Sequence, residues 1–117
     1  RPDLWDDLIF AWKAAALSKS NAISIVTDGE AVGIGRGFCS RLHAVEFAVK
    51  QAGGRAQGAV LGSDAFFPFP DGVEAAAQAG IAAIIQPGGS VRDGEVSEAA
   101  EKLGISMFLS GWRTFRH

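Results

Sequence analysis

The ten residues from Ser63 to Gly72 concentrate the groups that could bind a ligand. Three Phe, two Pro and two Asp fall within this stretch, whereas the other Phe residues are scattered singly along the chain. Aromatic rings offer faces for a planar ligand, and carboxylates accept hydrogen bonds. We interpret the concentration as a binding site. The alternative is a tight turn whose Phe rings fill the core.

The flanking residues predict that this stretch connects a strand to a helix. Gly58 to Gly62 is typical of a short buried strand, and Pro70 suits the first position of a helix that continues through Val73 and Ala76. In open α/β sheets, such loops lie at the carboxyl ends of strands, where ligands bind. A second loop of this kind, Gln86 to Asp93, follows an apolar run, and its glycines leave backbone N–H groups free.

Arg41 is predicted in the first turn of a helix that Ser40 caps. A cation in that position gains nothing from the helix dipole, so we expect an anionic ligand or a partner carboxylate to hold it. Asn21 lies at the start of the first predicted strand, where its carboxamide can close a turn or contact a ligand.

Two motifs with cofactor associations carry little weight. The run from Gly33 to Gly37 lacks the GxGxxG spacing and ends a hairpin, so it is a weak signal for a nicotinamide cofactor. Its glycines do permit close backbone approach to a ligand or to a neighbouring strand. Cys39 and His43 are four residues apart, but they are the only Cys and the only internal His, too few for a zinc site. The sequence therefore argues against a zinc deaminase.

Composition indicates one compact domain. The chain has 117 residues, of which 48% are hydrophobic and 21% charged. Its formal net charge of −2 and the lack of a basic block argue against nucleic-acid binding. One Cys, no apolar run of 18 residues and an acidic N-terminus make the cytosol the expected compartment. Because the chain begins with Arg1 rather than Met, we expect it to be a piece of a longer protein.

The periodicities predict the order α-β-β-α-β-α-β-α-β. Asp3 is expected to cap the first helix, and Asp28-Gly29 is expected to join the first two strands in a hairpin. Three crossovers after the hairpin give an α/β fold of three layers. Its five-stranded sheet is mostly parallel, begins with an antiparallel hairpin and carries helices on both faces.

The first helix has a wide apolar face. Leu4, Leu8 and Ala15 recur at helical spacing, and Trp5, Ile9 and Trp12 widen that face beyond what one small domain needs. The helix is therefore either unusually well buried or packed against another chain or domain as well.

Several segments, taken together, resemble a known family, the bifunctional enzymes AICAR transformylase/IMP cyclohydrolase of purine biosynthesis. The resemblance is to the C-terminal part of the AICAR transformylase region, and it runs in order and without an evident gap from about Trp5 to the last residue. The segments that carry it are Ala11 to Lys13, Lys19 to Ile23, Gly33 to Gly35 with Ser40-Arg41, Ser63 to Asp71, Ile85 to Ser90 with Arg92-Asp93, and Phe115 to His117.

The resemblance implies a cytidine-deaminase-like subdomain covering residues 1–117, and a function in transferring a formyl group from 10-formyltetrahydrofolate to the amino group of AICAR. By the same resemblance, the ribotide is contacted by Asn21, Arg41, Phe66 and Arg113. Leu42, Asp71, Ser90 and Val91 line the folate side. Charge-assisted hydrogen bonds from the arginines and a ring face from Phe66 suit a nucleotide.

One departure from the family bears on activity. Family chemistry uses an adjacent Lys-His pair, with the His accepting the proton of the attacking amine, and this chain contains no Lys-His dipeptide. The pair, an upstream subdomain and the cyclohydrolase domain are absent here, so we expect no catalysis by the chain alone and assembly as a homodimer or with a complementing subdomain. Smaller departures at Phe38, Cys39 and Pro70 affect the folate side.

Two functions are therefore consistent with the sequence. The first is a portion of an AICAR formyltransferase that meets its Lys-His pair elsewhere. The second is a non-catalytic ligand-binding or scaffold module that keeps the ribotide site without the chemistry. Asn21, Arg41 and Arg113 are expected under both.

Overall fold

The computed structural model describes residues 2–16, 22–37, 40–64, 67, 70–88 and 93–110. It confirms the predicted order of helices and strands. The elements, in chain order, are α1 (Pro2–Ala16), β1 (Ile23–Thr27), β2 (Glu30–Gly35), α2 (Arg41–Ala52), a single 3-10 turn (Gly53–Ala56), β3 (Val60–Ser63), α3 (Asp71–Gln78), β4 (Ala83–Gln86), α4 (Asp93–Lys102) and β5 (Ser106–Leu109).

The five strands form one mixed sheet in the order β2-β1-β3-β4-β5. The predicted hairpin is present: Asp28 and Gly29 both have positive φ, as a two-residue turn between twisted strands requires. β1 is antiparallel to β2 and to β3, while β3, β4 and β5 are mutually parallel. Four strands therefore run in one direction. Their carboxyl ends, together with the start of β1, form one side of the sheet, which we call the carboxyl edge.

The sheet is covered by helices on both faces, which confirms the three-layer arrangement. On one face, Leu8 and Ala11 of α1 pack with Val26, Val60 and Ile85. On the other, α2, α3 and α4 bury a larger cluster that includes Val45, Val73, Val96 and the strand residues Ile23, Ile25, Leu61 and Ile84. β1 and β3 lie between the two layers and are buried on both faces.

Close packing of α2 onto β2 explains the glycines that precede it. A Cβ at Gly33 would meet the backbone of Ala48, and one at Gly35 would meet the backbone of Ala44. From the sequence, the close neighbour of these glycines could be either a ligand or an adjacent strand. The neighbour in the structure is instead the helix, whose own contact residues are alanines.

The helix starts agree with the sequence at α2 and differ at α1 and α3. Ser40 caps α2, and its Oγ accepts a hydrogen bond from the N–H of His43 at 3.0 Å. Asp3 is not the cap of α1, since that helix already begins at Pro2, and proline is favoured at a first helical position. Pro70 lies one residue before α3 rather than within it, although its φ of −69° is helical.

Candidate functional site

Arg41 is held at the carboxyl edge by a carboxylate of its own chain. Its side chain is buried, and Nη1 donates to Oδ1 of Asp64 at 2.5 Å and to the carbonyl oxygen of Ala22 at 3.3 Å. Of the two partners that the sequence left open, the structure shows the carboxylate. The Asp64 carboxylate therefore balances the charge of Arg41 in the first turn of α2, where the helix dipole does not stabilise a cation.

Asp64 connects three segments of the chain and was not singled out from the sequence. It directly follows β3 and is 1% exposed. In addition to Arg41, its Oδ1 accepts the backbone N–H of Ala22 at 3.0 Å, while its own N–H donates to the carbonyl of Ala22 at 3.2 Å. The start of β1, the end of β3 and the first turn of α2 are thereby fixed to one another. An acidic residue immediately after a buried strand was the available signal.

Phe67 occupies the core, as the alternative interpretation of the ten-residue stretch proposed for its rings. The side chain is fully buried, and a Cβ at Gly72 would lie 2.9 Å from its ring carbons. Its backbone N–H donates to Oε1 of Gln86 at 3.0 Å. Gln86, which was not singled out from the sequence, is also fully buried, and its Nε2 lies 3.6 Å from Sδ of Met107.

The start of α3 packs against Phe67 and against α2. A Cβ at Gly72 would be 3.8 Å from Cγ2 of Val45. Leu42 is half-buried in the first turn of α2. Asp71 is exposed as the first residue of α3, and its Oδ1 accepts the N–H of Gly72 at 2.7 Å. Two of the four residues implied for the folate side therefore belong to two helices that pack against each other.

The remaining implied site residues lie outside the described residues: Asn21, Phe66, Arg113, Ser90 and Val91. Several described residues that are close to them in sequence lie at the carboxyl edge. Ala22 and Asp64 are joined there, Gly88 follows β4, and the N–H of Ser110 donates to the carbonyl of Gln86 at 2.8 Å.

A groove on the outer surface of α3 and α4 is poorly suited to an anionic ligand. It encloses about 360 Å³, and its lining includes three carboxylates, Glu74, Glu95 and Glu98, but only one cation, Lys102. That ammonium is 3.0 Å from Glu98. The net negative lining would repel a phosphate. We therefore place the candidate site at the carboxyl edge and not in this groove.

Within the residues that the structure describes, no three His, Cys, Asp or Glu side chains are grouped as a metal ion would require. No helix in the same ranges has the length and apolar character needed to cross a membrane.

An apolar surface lies on the α1 side of the sheet. Trp5, Ile9 and Trp12 follow one stripe of α1, and the ring of Trp5 meets that of Phe108 edge to face, with centroids 5.3 Å apart. Trp5 is 49% exposed and Phe108 37%. Ile9 and Trp12 are half-buried. All three α1 residues are therefore partly exposed in the chain alone. We call the four residues the α1 patch.

Sequence comparisons identify relatives over nearly the whole chain. Residues 1–51 match the family described as AICARFT/IMPCHase bienzyme. The bifunctional purine biosynthesis protein PurH of Mycobacterium marinum is 53% identical over 116 residues, which cover 99% of this chain and 22% of that protein. PurH of Rhodopirellula baltica is 51% identical over 98% of this chain and 22% of its own length. The chain thus spans about a fifth of the length of the curated relatives it matches.

Comparison with solved structures supports the fold. RibD of Acinetobacter baumannii superimposes with a TM-score of 0.63 and 22% identity, covering 92% of this chain and 34% of that one. The dCMP deaminase of cyanophage S-TIM5 gives a TM-score of 0.58 and 17% identity, covering 93% and 98% of the respective chains. The deaminase-like α/β fold expected from the sequence is thereby confirmed.

Proposed function

The chain belongs to the AICARFT/IMPCHase bienzyme family, and from that premise we propose that it forms part of an AICAR formyltransferase of purine biosynthesis. In this proposal it contributes binding residues for AICAR and for 10-formyltetrahydrofolate, the formyl donor. The observation that carries the proposal is the Arg41–Asp64–Ala22 contact, which joins three sequence-distant segments beside predicted ribotide-binding positions.

On the ribotide side, we propose that Asn21, Arg41, Phe66 and Arg113 contact AICAR. Asn21 directly precedes Ala22, and Phe66 is two residues after Asp64, so both are close in sequence to atoms hydrogen-bonded at the carboxyl edge. A chain advances at most about 3.6 Å per residue, which limits how far either can lie from that contact. Arg41 and Arg113 would supply charge to an anionic nucleotide.

On the folate side, we propose Leu42, Asp71, Ser90 and Val91. The contact of Gly72, at the start of α3, with Val45 of α2 supports the first two as residues of one region, since Leu42 lies one helical turn before Val45. Asp71 is exposed at that position and has a carboxylate that can accept hydrogen bonds from a pterin ring. In sequence, Ser90 and Val91 come two and three residues after Gly88, which follows the carboxyl end of β4.

The chemistry requires a partner that supplies a proton acceptor. An aromatic amine becomes an effective nucleophile as its proton is removed, and the family uses a Lys-His pair that this sequence lacks. We propose that residues 1–117 form one subdomain, and that a complementing subdomain or a second subunit in the cytoplasm covers the α1 patch and completes the active site.

A second candidate is a non-catalytic module that binds the ribotide without reaction. Formyl transfer separates the two. The purified 117-residue chain should show no turnover of AICAR and 10-formyltetrahydrofolate, since loss of a general base costs about 100- to 10,000-fold. The native assembly that carries the chain should turn over if the first candidate is correct. Binding of AICAR without turnover in that assembly would favour the second, and turnover by the chain alone would contradict the need for a partner.

A further inference from the structure

We propose that Asp64 is a positioning residue for the nucleotide site, acting through Arg41 and through the start of β1. The inference deepens the proposed function and rests on it. It assigns a role to a residue that does not itself have to touch AICAR.

The geometry converges on a single oxygen atom. Oδ1 of Asp64 accepts one hydrogen bond from Arg41 Nη1 at 2.5 Å and another from the backbone N–H of Ala22 at 3.0 Å. The same Nη1 donates to the carbonyl of Ala22 at 3.3 Å. Three residues separated by 19 to 42 positions in sequence thus form a closed set of contacts. Moving the carboxylate would move two predicted ribotide-binding segments together.

Each of the three residues begins or directly adjoins a helix or strand. Arg41 begins α2, Ala22 directly precedes β1, and Asp64 directly follows β3. β1 and β3 pair from Ile23 with Ser63 onwards, and the backbone hydrogen bond from Asp64 to Ala22 extends that pairing by one residue. The carboxylate is therefore anchored to the centre of the sheet and transmits that rigidity to Arg41.

The chemistry of the pair favours orientation over stability. The guanidinium is planar and rigid, so fixing Nη1 against two acceptors restricts the direction of its whole fork. Both side chains are buried, and a buried ion pair is often no more stabilising than a well-packed apolar pair of similar volume. An apolar pair could fill the same volume, but it would not hold a guanidinium in a fixed orientation. Displacement of a binding group by about 1 Å can cost on the order of 100-fold in rate.

The test is a double-mutant cycle read out as AICAR affinity by calorimetry in the native assembly. Asp64→Asn keeps an oxygen for Ala22 but removes the charge facing Arg41. We expect it to weaken AICAR binding at least tenfold in the wild-type background. In the Arg41→Gln background, the same change should weaken binding less than twofold further, because Asn still accepts the N–H of Ala22 and the cation that the lost charge positioned is already gone.

Ser24→Ala is the matched control. Ser24 is fully buried, and its Oγ donates to the carbonyl of Ala11 at 2.8 Å on the α1 side. The substitution Ser24→Ala removes one buried hydrogen bond without changing the contacts among Arg41, Asp64 and Ala22. It should therefore lower the melting temperature and leave AICAR affinity within twofold of wild type. Equal losses of affinity in Ser24→Ala and Asp64→Asn would assign the effect to general destabilisation and overturn the proposal.

Other outcomes separate the inference from its premise. No AICAR binding by the wild-type assembly would overturn the proposed function and the inference with it. Wild-type affinity in a folded Asp64→Asn protein would overturn the inference alone. If Asp64→Asn does not fold, Asp64→Glu is the second variant, since it keeps the charge and shifts the carboxylate by one methylene. Asp64→Glu should weaken AICAR binding at least fivefold while its circular dichroism spectrum stays native. Unchanged affinity, or failure of both variants to fold, would make Asp64 a folding residue.

Discussion

The backbone N–H of Phe67 donates to the side-chain oxygen of Gln86 at 3.0 Å, and neither residue is exposed to solvent. Gln86 ends β4, whereas Phe67 belongs to the stretch between β3 and α3. A buried N–H in such a connection has no strand partner to satisfy it, and the glutamine side chain supplies the acceptor. The end of one parallel strand therefore holds the connection that follows its neighbour.

Replacing Gln86 with leucine should destabilise the protein. Gln86→Leu keeps a side chain of similar size but leaves the Phe67 N–H unsatisfied in the core, which costs about 1–3 kcal/mol. Urea unfolding followed by circular dichroism measures the change in the free energy of unfolding. Gln78→Leu, on the exposed side of α3, is the control and should change stability by less than about 0.5 kcal/mol. Equal effects of the two substitutions would show that the hydrogen bond contributes nothing.

Two glycines at equivalent helix positions should respond to alanine in opposite directions. Gly72 and Gly94 are the second residues of α3 and α4, and each follows an aspartate. A Cβ at Gly72 would lie 2.9 Å from the buried ring of Phe67, whereas one at Gly94 would meet nothing within 4 Å. Gly94→Ala should stabilise by about 0.5–1 kcal/mol through the helix. Gly72→Ala should destabilise by about 1–3 kcal/mol, since the ring must shift.

Thermal unfolding distinguishes these two variants directly. For a domain of this size, 1 kcal/mol corresponds to roughly 4 °C in melting temperature. The melting temperature of Gly94→Ala should lie above wild type and that of Gly72→Ala below it. A Gly72→Ala protein as stable as Gly94→Ala would mean that Phe67 does not pack against α3 as the structure shows.

Local features of the fold could be predicted from the sequence because their causes are local. The Asp28-Gly29 turn, the Ser40 cap and the apolar runs that became β3 and β4 each depend on neighbouring residues. The position of β1 between β2 and β3 was not predicted, since a crossover connection does not specify which strand lies between its two ends.

The candidate site was predicted only in part, for the same reason. Arg41 could be singled out because its position against the helix dipole is visible in sequence. Its partner Asp64 is 23 residues away and meets it only after the sheet has formed. Gln86 gives a weaker signal still, because one polar residue after an apolar run is also typical of an ordinary strand end.

The α1 patch should take part in assembly. Trp5→Glu places a charge on a surface that is apolar over Trp5, Ile9, Trp12 and Phe108, so it should reduce association with the complementing subdomain or second copy by at least tenfold. Sedimentation velocity of the native assembly measures this. Phe47→Glu is the matched control, because Phe47 on α2 is also 49% exposed but lies in the opposite layer. Equal loss of association in both variants, or no loss in either, would show that the α1 patch has no specific role in assembly.

Arg113 should contribute to ribotide binding, and this can be tested without affecting the core. In sequence it lies three residues after Ser110, whose N–H is hydrogen-bonded to the Gln86 carbonyl at the carboxyl edge. Truncating a charged group that contacts a bound ligand typically costs about 2–5 kcal/mol, whereas a solvated arginine costs almost nothing. Arg113→Ala should therefore weaken AICAR binding at least tenfold and leave the melting temperature nearly unchanged. Arg55→Ala is the control, since Arg55 pairs with Glu30 at 3.3 Å on the surface and should not alter affinity. If the two alanine variants bind AICAR equally well in a calorimetric titration, Arg113 is a surface arginine with no role in the site.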